Sequence, residues 1–155
     1  MTIPATVNDA ALELDSVLGL IPEGLLRISD ADAALPRAPG KWSRKQILGH
    51  LVDSASNNHQ RFVRATLAGE LIFPPYEQDG WVGVQRWADV PWERIVRLWE
   101  EFNRHLLHLM RSIPAGRHET LCIVEGRDPV TLEYLMRDYV RHLKHHLDQV
   151  LEKHS

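Results

Sequence analysis

The sequence predicts an all-α fold, a four-helix bundle, and three observations carry that expectation. Four stretches space their apolar residues three and four apart, the period of one helix face. Capping residues bound these stretches: Ser43 before the second, Gly69 after it, Pro91 before the third and Thr131 before the fourth. The chain has 155 residues, enough for one domain with its own core and too few for a second, so residues 1–155 are expected to form a single unit.

The first stretch runs roughly from Val7 to Leu20, with Leu14, Val17, Leu18 and Ile21 at helical spacing. Pro22 and Gly24 are expected to interrupt it before a short continuation through Leu25 to Ile28. Residues 31–41 collect prolines and a glycine and read as a connection. Ser43 then caps a long second helix, with Trp42 placed to staple onto Ile47. Its apolar face is Ile47, Leu48, Leu51, Ala55, Phe62 and Val63, and it ends near Ala68, where Gly69 suits a C-terminal cap.

Between Gly69 and Pro91 lie Pro74-Pro75-Tyr76 and Asp79-Gly80-Trp81, turn signals that predict a long loop of the kind that often carries function. The third helix opens near Pro91 and aligns Trp92, Val96, Trp99, Phe102, Leu106 and Ile113 before Pro114-Ala115-Gly116 stops it. Leu121-Cys122-Ile123-Val124, followed by Glu125-Gly126-Arg127-Asp128-Pro129, predicts a small hairpin or an irregular covering segment. Thr131 caps the last helix, whose apolar face is Leu132, Leu135, Met136, Tyr139, Leu143, Leu147 and Val150.

Composition excludes several classes of function. The 18 basic residues are spread among 21 acidic ones, for a net charge of -3, so nothing forms an electrostatic footprint for nucleic acid or a membrane surface. No apolar run approaches the ~20 residues needed to span a bilayer. MTIPATVNDA has neither a basic n-region nor an apolar h-region, and a cytoplasmic protein is expected. Cys122 is the single cysteine, which excludes a disulfide framework and a cysteine-rich zinc site. It lies in a short apolar run and reads as buried filler. A metal, if one is held, must rest mainly on histidine.

Nine residues are histidine, and three of them crowd into YVRHLKHHLDQV. Residues four apart on a helix differ by about 40° around the axis and about 6 Å along it, so His142 and His146 can point at one ion. On a helical wheel His146 falls inside the apolar arc and His142 at its edge, whereas His145 sits on the polar side with Asp138. The same spacing also suits an exposed surface pair, and two ligands are too few. On the second helix His50 and His59 can supply a third, with Asp53 as a carboxylate option. His59 lies in the apolar arc. His50 lies on a polar stripe with Ser54, Asn57 and Arg61, which fits either an active-site wall or a solvated face. Burial alone favours His59.

These pieces resemble the DinB/YfiT-like superfamily of small metal-binding four-helix bundles. The similar segments are Lys41-Trp42-Ser43, then Gln46 to Ser54 around His50 and Asp53, then Arg61-Phe62, Pro75-Tyr76 with Trp81, and finally His142 to His146. The resemblance implies that His50, His142 and His146 bind one divalent transition metal, so it selects His50 against the wheel. Three imidazoles without a thiolate suit Zn, Ni, Fe or Cu, with zinc or nickel foremost, and leave a position open for water or substrate. It further implies a metal-dependent hydrolase or a transferase using a low-molecular-weight thiol cosubstrate such as bacillithiol or mycothiol, acting on a small-molecule substrate, and a homodimer. Asp53 is expected as a partner of a ligand or as a base, with Asn57, Arg61, Tyr76, Trp81 and Gln149 near the pocket. His59, His105, His108, His118, His145 and His154 read as core-edge or solvent residues. The competing reading is a non-enzymatic helical interaction module with a structural or vestigial metal site, since the sequence marks no unambiguous acid, base or nucleophile.

Overall fold

The computed structural model describes residues 7–152. Four long helices, α1 (Val7–Leu26), α3 (Arg44–Ala68), α5 (Trp92–Ser112) and α6 (Leu132–Leu151), form a bundle; α2 (Asp30–Ala34) and α4 (Gln78–Gln85) are short. Each of α1 and α3 packs against both α5 and α6. The two long helices that come first in sequence are therefore diagonal partners, as are α5 and α6, so the connections within these two pairs cross the bundle ends while α3 and α5 are neighbours. No helix among the described residues is long and apolar enough to cross a membrane.

Burial follows the predicted apolar faces. Leu14, Leu48, Phe62, Trp99, Leu106 and Met136 are fully enclosed, and such burial contributes about 1.5–3 kcal/mol per large side chain. One polar link sits among them: the Tyr139 hydroxyl donates to Asn103 Oδ1 at 2.5 Å, and Asn103 Nδ2 donates to the Trp99 carbonyl at 2.9 Å. Both groups are thus satisfied without water, as buried polar atoms require.

The caps of α3 behave as expected. Ser43 Oγ accepts from Gln46 N while Gln46 Oε1 accepts from Ser43 N, and Gly69 closes the helix in the left-handed conformation at φ 80°. Thr131 caps α6 by accepting from Tyr134 N.

Three expectations are corrected. Pro22 does not end α1, which runs unbroken through it to Leu26. A helical proline forfeits one backbone bond and crowds the preceding turn, but Pro22 is buried, and Leu18 and Leu25 beside it are enclosed in the core. The connection before α3 contains α2, capped by Ser29, with Asp30 and Asp32 in its first turn. Asp30 reaches further: its carboxylate accepts from Trp92 N at 2.8 Å and pairs with Lys45 Nζ at 2.9 Å, tying the starts of α3 and α5 together.

The third correction bears on function. The stretch from Gly69 to Pro91 is not a bare loop but holds strand β1 (Glu70–Phe73), helix α4 and a 3-10 turn over Trp87–Asp89. The predicted hairpin forms from β2 (Leu121–Val124) and β3 (Val130–Thr131), and β1 adds to it in parallel, pairing Glu70 with Leu121 through Phe73 with Val124. The two segments that leave α3 and enter α6 are thereby joined into one small sheet beside the bundle.

Candidate metal centre

His50 lies in the second turn of α3 and is 0% exposed. The wheel fails for it because the first three turns of α3 are covered on almost every side. Residues 47–55 are all buried, and the segment after β1 folds back over the side away from the core. Gly49 makes that cover possible: a Cβ there would lie 2.3 Å from Cγ of Trp87. Trp42 completes the enclosure with its ring 5.3 Å from that of His50, rather than only stapling the helix start.

His142 and His146 project from successive turns of α6, with ring centroids 4.5 Å apart and 5.3 Å and 5.0 Å from that of His50. Nε2 of His142 is 3.5 Å from Nε2 of His50 and 3.1 Å from Nε2 of His146. One ligand atom from each histidine fits within a 4.8 Å limit. Two nitrogens bound at ~2.0–2.1 Å with tetrahedral angles stand about 3.3–3.4 Å apart, close to the two spacings here.

The proton inventory fits a cation as well. Burial, then the proximity of His142 and His146, pushes His50 down to about 3. Burial, then His146, pushes His142 down to about 4. Burial also lowers His146, against the hydrogen bond from Gln149. All three rings are neutral at pH 7. His146 Nδ1 lies 2.9 Å from Gln149 Oε1, an acceptor, so Nδ1 carries the hydrogen and Nε2 presents a lone pair. A hydrogen on His142 Nε2 could serve one neighbouring Nε2 but not both, whereas a cation would take a lone pair from each ring.

Asp53 is 2% exposed, yet neither oxygen is bonded to a histidine among the described residues. Its carboxylate accepts from Gln85 Nε2 at 2.7 Å and from Trp87 Nε1 at 3.3 Å. Burial raises its pKa while these two bonds lower it. Asp53 therefore fastens the covering segment to α3. Gln149, not Asp53, touches a candidate ligand, while Nδ1 of His50 is buried without a hydrogen-bond partner.

A cleft of about 170 Å3 runs along α3 and α6 from His142, with Ser54, Asn58, Arg61, Tyr76 and Arg127 among its walls. Arg61 and Tyr76 stand where the sequence suggested. Asn57 does not: its side chain turns back to donate to the Asp53 carbonyl at 2.9 Å, and Asn58, the next residue around the helix, faces the cleft. Trp81 is also displaced from the wall; it lies on α4 behind Tyr76, ring centroids 5.3 Å apart. Sequence reasoning passed over Trp87, Asn58 and Arg127; Trp87 and Arg127 owe their places to the packing of distant segments, and Asn58 is one position around the helix from the residue the stripe suggested.

The other histidines lie elsewhere. His59 is half-buried against Phe102 and His105, on the side of α3 that faces α5. His105, His108 and His145 are exposed, His118 is half-buried, and His154 lies outside the described residues. Cys122 is fully buried in β2, and burial pushes its thiol up to about 11, which leaves it unsuited to nucleophilic work at neutral pH.

The same architecture occurs in known proteins. The solved structure of YfiT from Bacillus subtilis, described as a probable metal-dependent hydrolase with an unusual four-helix bundle topology, superposes with a TM-score of 0.82 at 19% identity, covering 97% of this chain and 86% of that one. A mycothiol-dependent maleylpyruvate isomerase gives a TM-score of 0.77 at 13% identity, over 97% of this chain and 63% of that one. By sequence, the chain is 21% identical over 140 residues to "Putative metal-dependent hydrolase YfiT" of Bacillus subtilis (strain 168), covering 90% of this chain and 79% of the relative. A protein of Geobacillus thermodenitrificans (strain NG80-2) with the same description is 25% identical over 143 residues, 92% of this chain and 79% of its own. A sequence profile of the DinB superfamily matches residues 14–150, which takes in α3, α6 and all three clustered histidines, and the chain belongs to that superfamily.

Proposed function

We propose that this protein is a metal-dependent enzyme that holds one divalent transition metal, zinc or nickel, on His50, His142 and His146 and acts on a small molecule in the adjoining cleft. The observation that carries this reading is the convergence of three neutral imidazoles from two helices at spacings that suit a single ion. A divalent ion held this way supplies a Lewis acid with a position left open, able to acidify a water or a low-molecular-weight thiol.

The chain's own residues supply the rest. Gln149 fixes the tautomer and ring orientation of His146, as partners of metal-binding histidines commonly do. Trp42 and Trp87 exclude water from the buried side of His50 and its helix turn. Asp53 is a positioning residue that holds the Gln85–Trp87 segment over α3. Tyr76, whose phenol burial pushes above its ordinary pKa, offers a neutral hydroxyl at the cleft wall.

Hydrolysis is favoured by the descriptions of the sequence relatives, and use of a thiol cosubstrate by the likeness to the mycothiol-dependent isomerase. The first test is elemental analysis of protein purified without a nickel column. About one metal per chain is expected, falling to near zero in a His142→Ala, His146→Ala double variant; a parent protein that stays far below one refutes the proposal. Conjugation of a small electrophile with bacillithiol, mycothiol or glutathione, assayed beside a panel of esters and amides with and without chelator, then separates transfer from hydrolysis.

A further inference from the structure

We propose that the cleft selects a small substrate bearing a carboxylate, held by Arg61 with Arg127 at the mouth, while the other end of the molecule reaches the histidine cluster. This deepens the metalloenzyme reading above and rests on it for the identity of the reacting end.

Arg61 is half-buried and carries no ion pair among the described residues, whereas seven other arginines, Arg27, Arg37, Arg86, Arg97, Arg104, Arg111 and Arg141, each have a carboxylate partner. Its guanidinium lies 4.4 Å above the Phe73 ring and 5.8 Å from that of Tyr76. The hydrogen bond found for it runs from Nη2 to the Pro74 carbonyl at 3.5 Å, the outer limit for such a bond. A guanidinium offers five donors in a planar fork, so the stacking holds the group in place while most of its donors have no protein partner among the described residues.

The surroundings add positive charge rather than cancel it. Arg127, in the turn after β2, faces the same cleft, also without an ion pair among the described residues. Asp138 is the carboxylate on the wall, and it is bonded to Arg141. Burial, together with Arg127, lowers the pKa of Arg61, the mark of a charge placed at a cost. An incoming carboxylate would relieve that cost, and it matches the fork with two parallel hydrogen bonds.

Position supports the assignment. Arg61 follows His50 and Ser54 along one stripe of α3, and Tyr139 precedes His142 by nearly one turn on α6. The rings of Phe62 and Tyr139 meet at 6.0 Å while His50 meets His142, so the two helices run antiparallel and the cleft extends from the histidines toward Arg61. At about 170 Å3 it lies below the ~300 Å3 at which drug-sized sites begin, which suits a short organic acid.

The test compares succinate, its uncharged analogue succinamide and inorganic phosphate by calorimetric titration of the full chain, as purified and again after zinc is added. The parent is expected to prefer succinate to succinamide by at least about tenfold, the factor that corresponds to ~1.4 kcal/mol. Arg61→Gln should abolish the preference, Arg61→Lys should retain part of it by keeping the charge without the fork, and Arg127→Gln should reduce it less. Circular dichroism checks each variant; if Arg61→Gln does not fold, the parent's own preference and the Lys variant decide. Equal binding of succinate and succinamide by the parent overturns the proposal, as does an undiminished preference in Arg61→Gln or tighter binding of phosphate than of succinate. Metal content is measured on the same samples. An Arg61-dependent preference in protein that binds no zinc would refute the metalloenzyme reading while leaving the carboxylate site standing, and a zinc-loaded parent without the preference would do the reverse.

Discussion

Replacing Gly49 by alanine tests the claim that close contact between α3 and Trp87 closes the buried side of the histidine cluster. At an exposed mid-helix position the change would be favourable by about 1 kcal/mol, because alanine loses less backbone freedom than glycine. Here the new methyl group would stand 2.3–2.6 Å from three atoms of the Trp87 indole, well inside contact distance. The ring is 7% exposed and tied by Nε1 to the Asp53 carboxylate at 3.3 Å, so it cannot swing aside without loss. Overpacking costs ~1–3 kcal/mol, and loss of a hydrogen bond to a buried carboxylate about another 1.5–3 kcal/mol. Setting the propensity gain against these terms leaves a net destabilisation of about 1.5–5 kcal/mol. Urea unfolding followed by far-ultraviolet circular dichroism reads it directly, and the thermal midpoint should fall by at least about 3 °C. In a Trp87→Leu background, where the smaller side chain leaves room, the same Gly49→Ala change should be neutral or stabilising, giving a coupling above ~1 kcal/mol. A Gly49→Ala protein as stable as its parent would refute the packing argument.

Two further outcomes are expected. Gln149→Ala should leave the fold intact but weaken metal binding by about 10–100-fold, since His146 loses the acceptor that sets its tautomer; competition with a chromogenic chelator measures this, and unchanged affinity would remove Gln149 from the site. Stability without added metal should depend on pH in one direction. Histidines whose folded pKa values are pushed down to about 3 and about 4 are neutral when folded, whereas in the unfolded chain they gain protons below ~6.5. The unfolded state binds more protons between those limits, so stability present above pH ~6.5 is lost as the pH falls toward 4. Urea midpoints at pH 7.5, 6 and 5 should decline in that order, and replacing His50 and His142 by glutamine should flatten the decline.

What could be read from the sequence was whatever depends on neighbours along the chain. Ser43 as a cap, Gly69, and the pairing of His142 with His146 are all settled within one or two helical turns, and each holds in the structure. His50 is the instructive case. A helical wheel assumes one face toward an apolar core and one toward water, and by that rule His59 should have been enclosed and His50 exposed. His50 is instead fully enclosed and His59 only half-buried, because the segment carrying Trp87 covers the polar stripe of α3 and makes a second, polar interior containing His50, Asp53 and Ser54. Resemblance found His50 where periodicity could not. Asn57 failed for a related reason: Asn57 and Asn58 both donate to the carbonyl four residues back, and the rotation of one position around the helix puts Asn58, not Asn57, on the cleft wall.

The parallel pairing of β1 with β2 has a consequence for how such a protein could diversify. The three histidines sit on long helices, where a shift would unseat the core. The cleft's mouth, by contrast, is assembled from two interhelical connections that are distant in sequence and are joined by that sheet: one delivers Tyr76 and the other Arg127. Either connection can be exchanged or lengthened at the surface, where insertions are tolerated. If the proposed site is right, grafting these two segments from one such chain to another should move substrate preference while the histidine cluster stays behind.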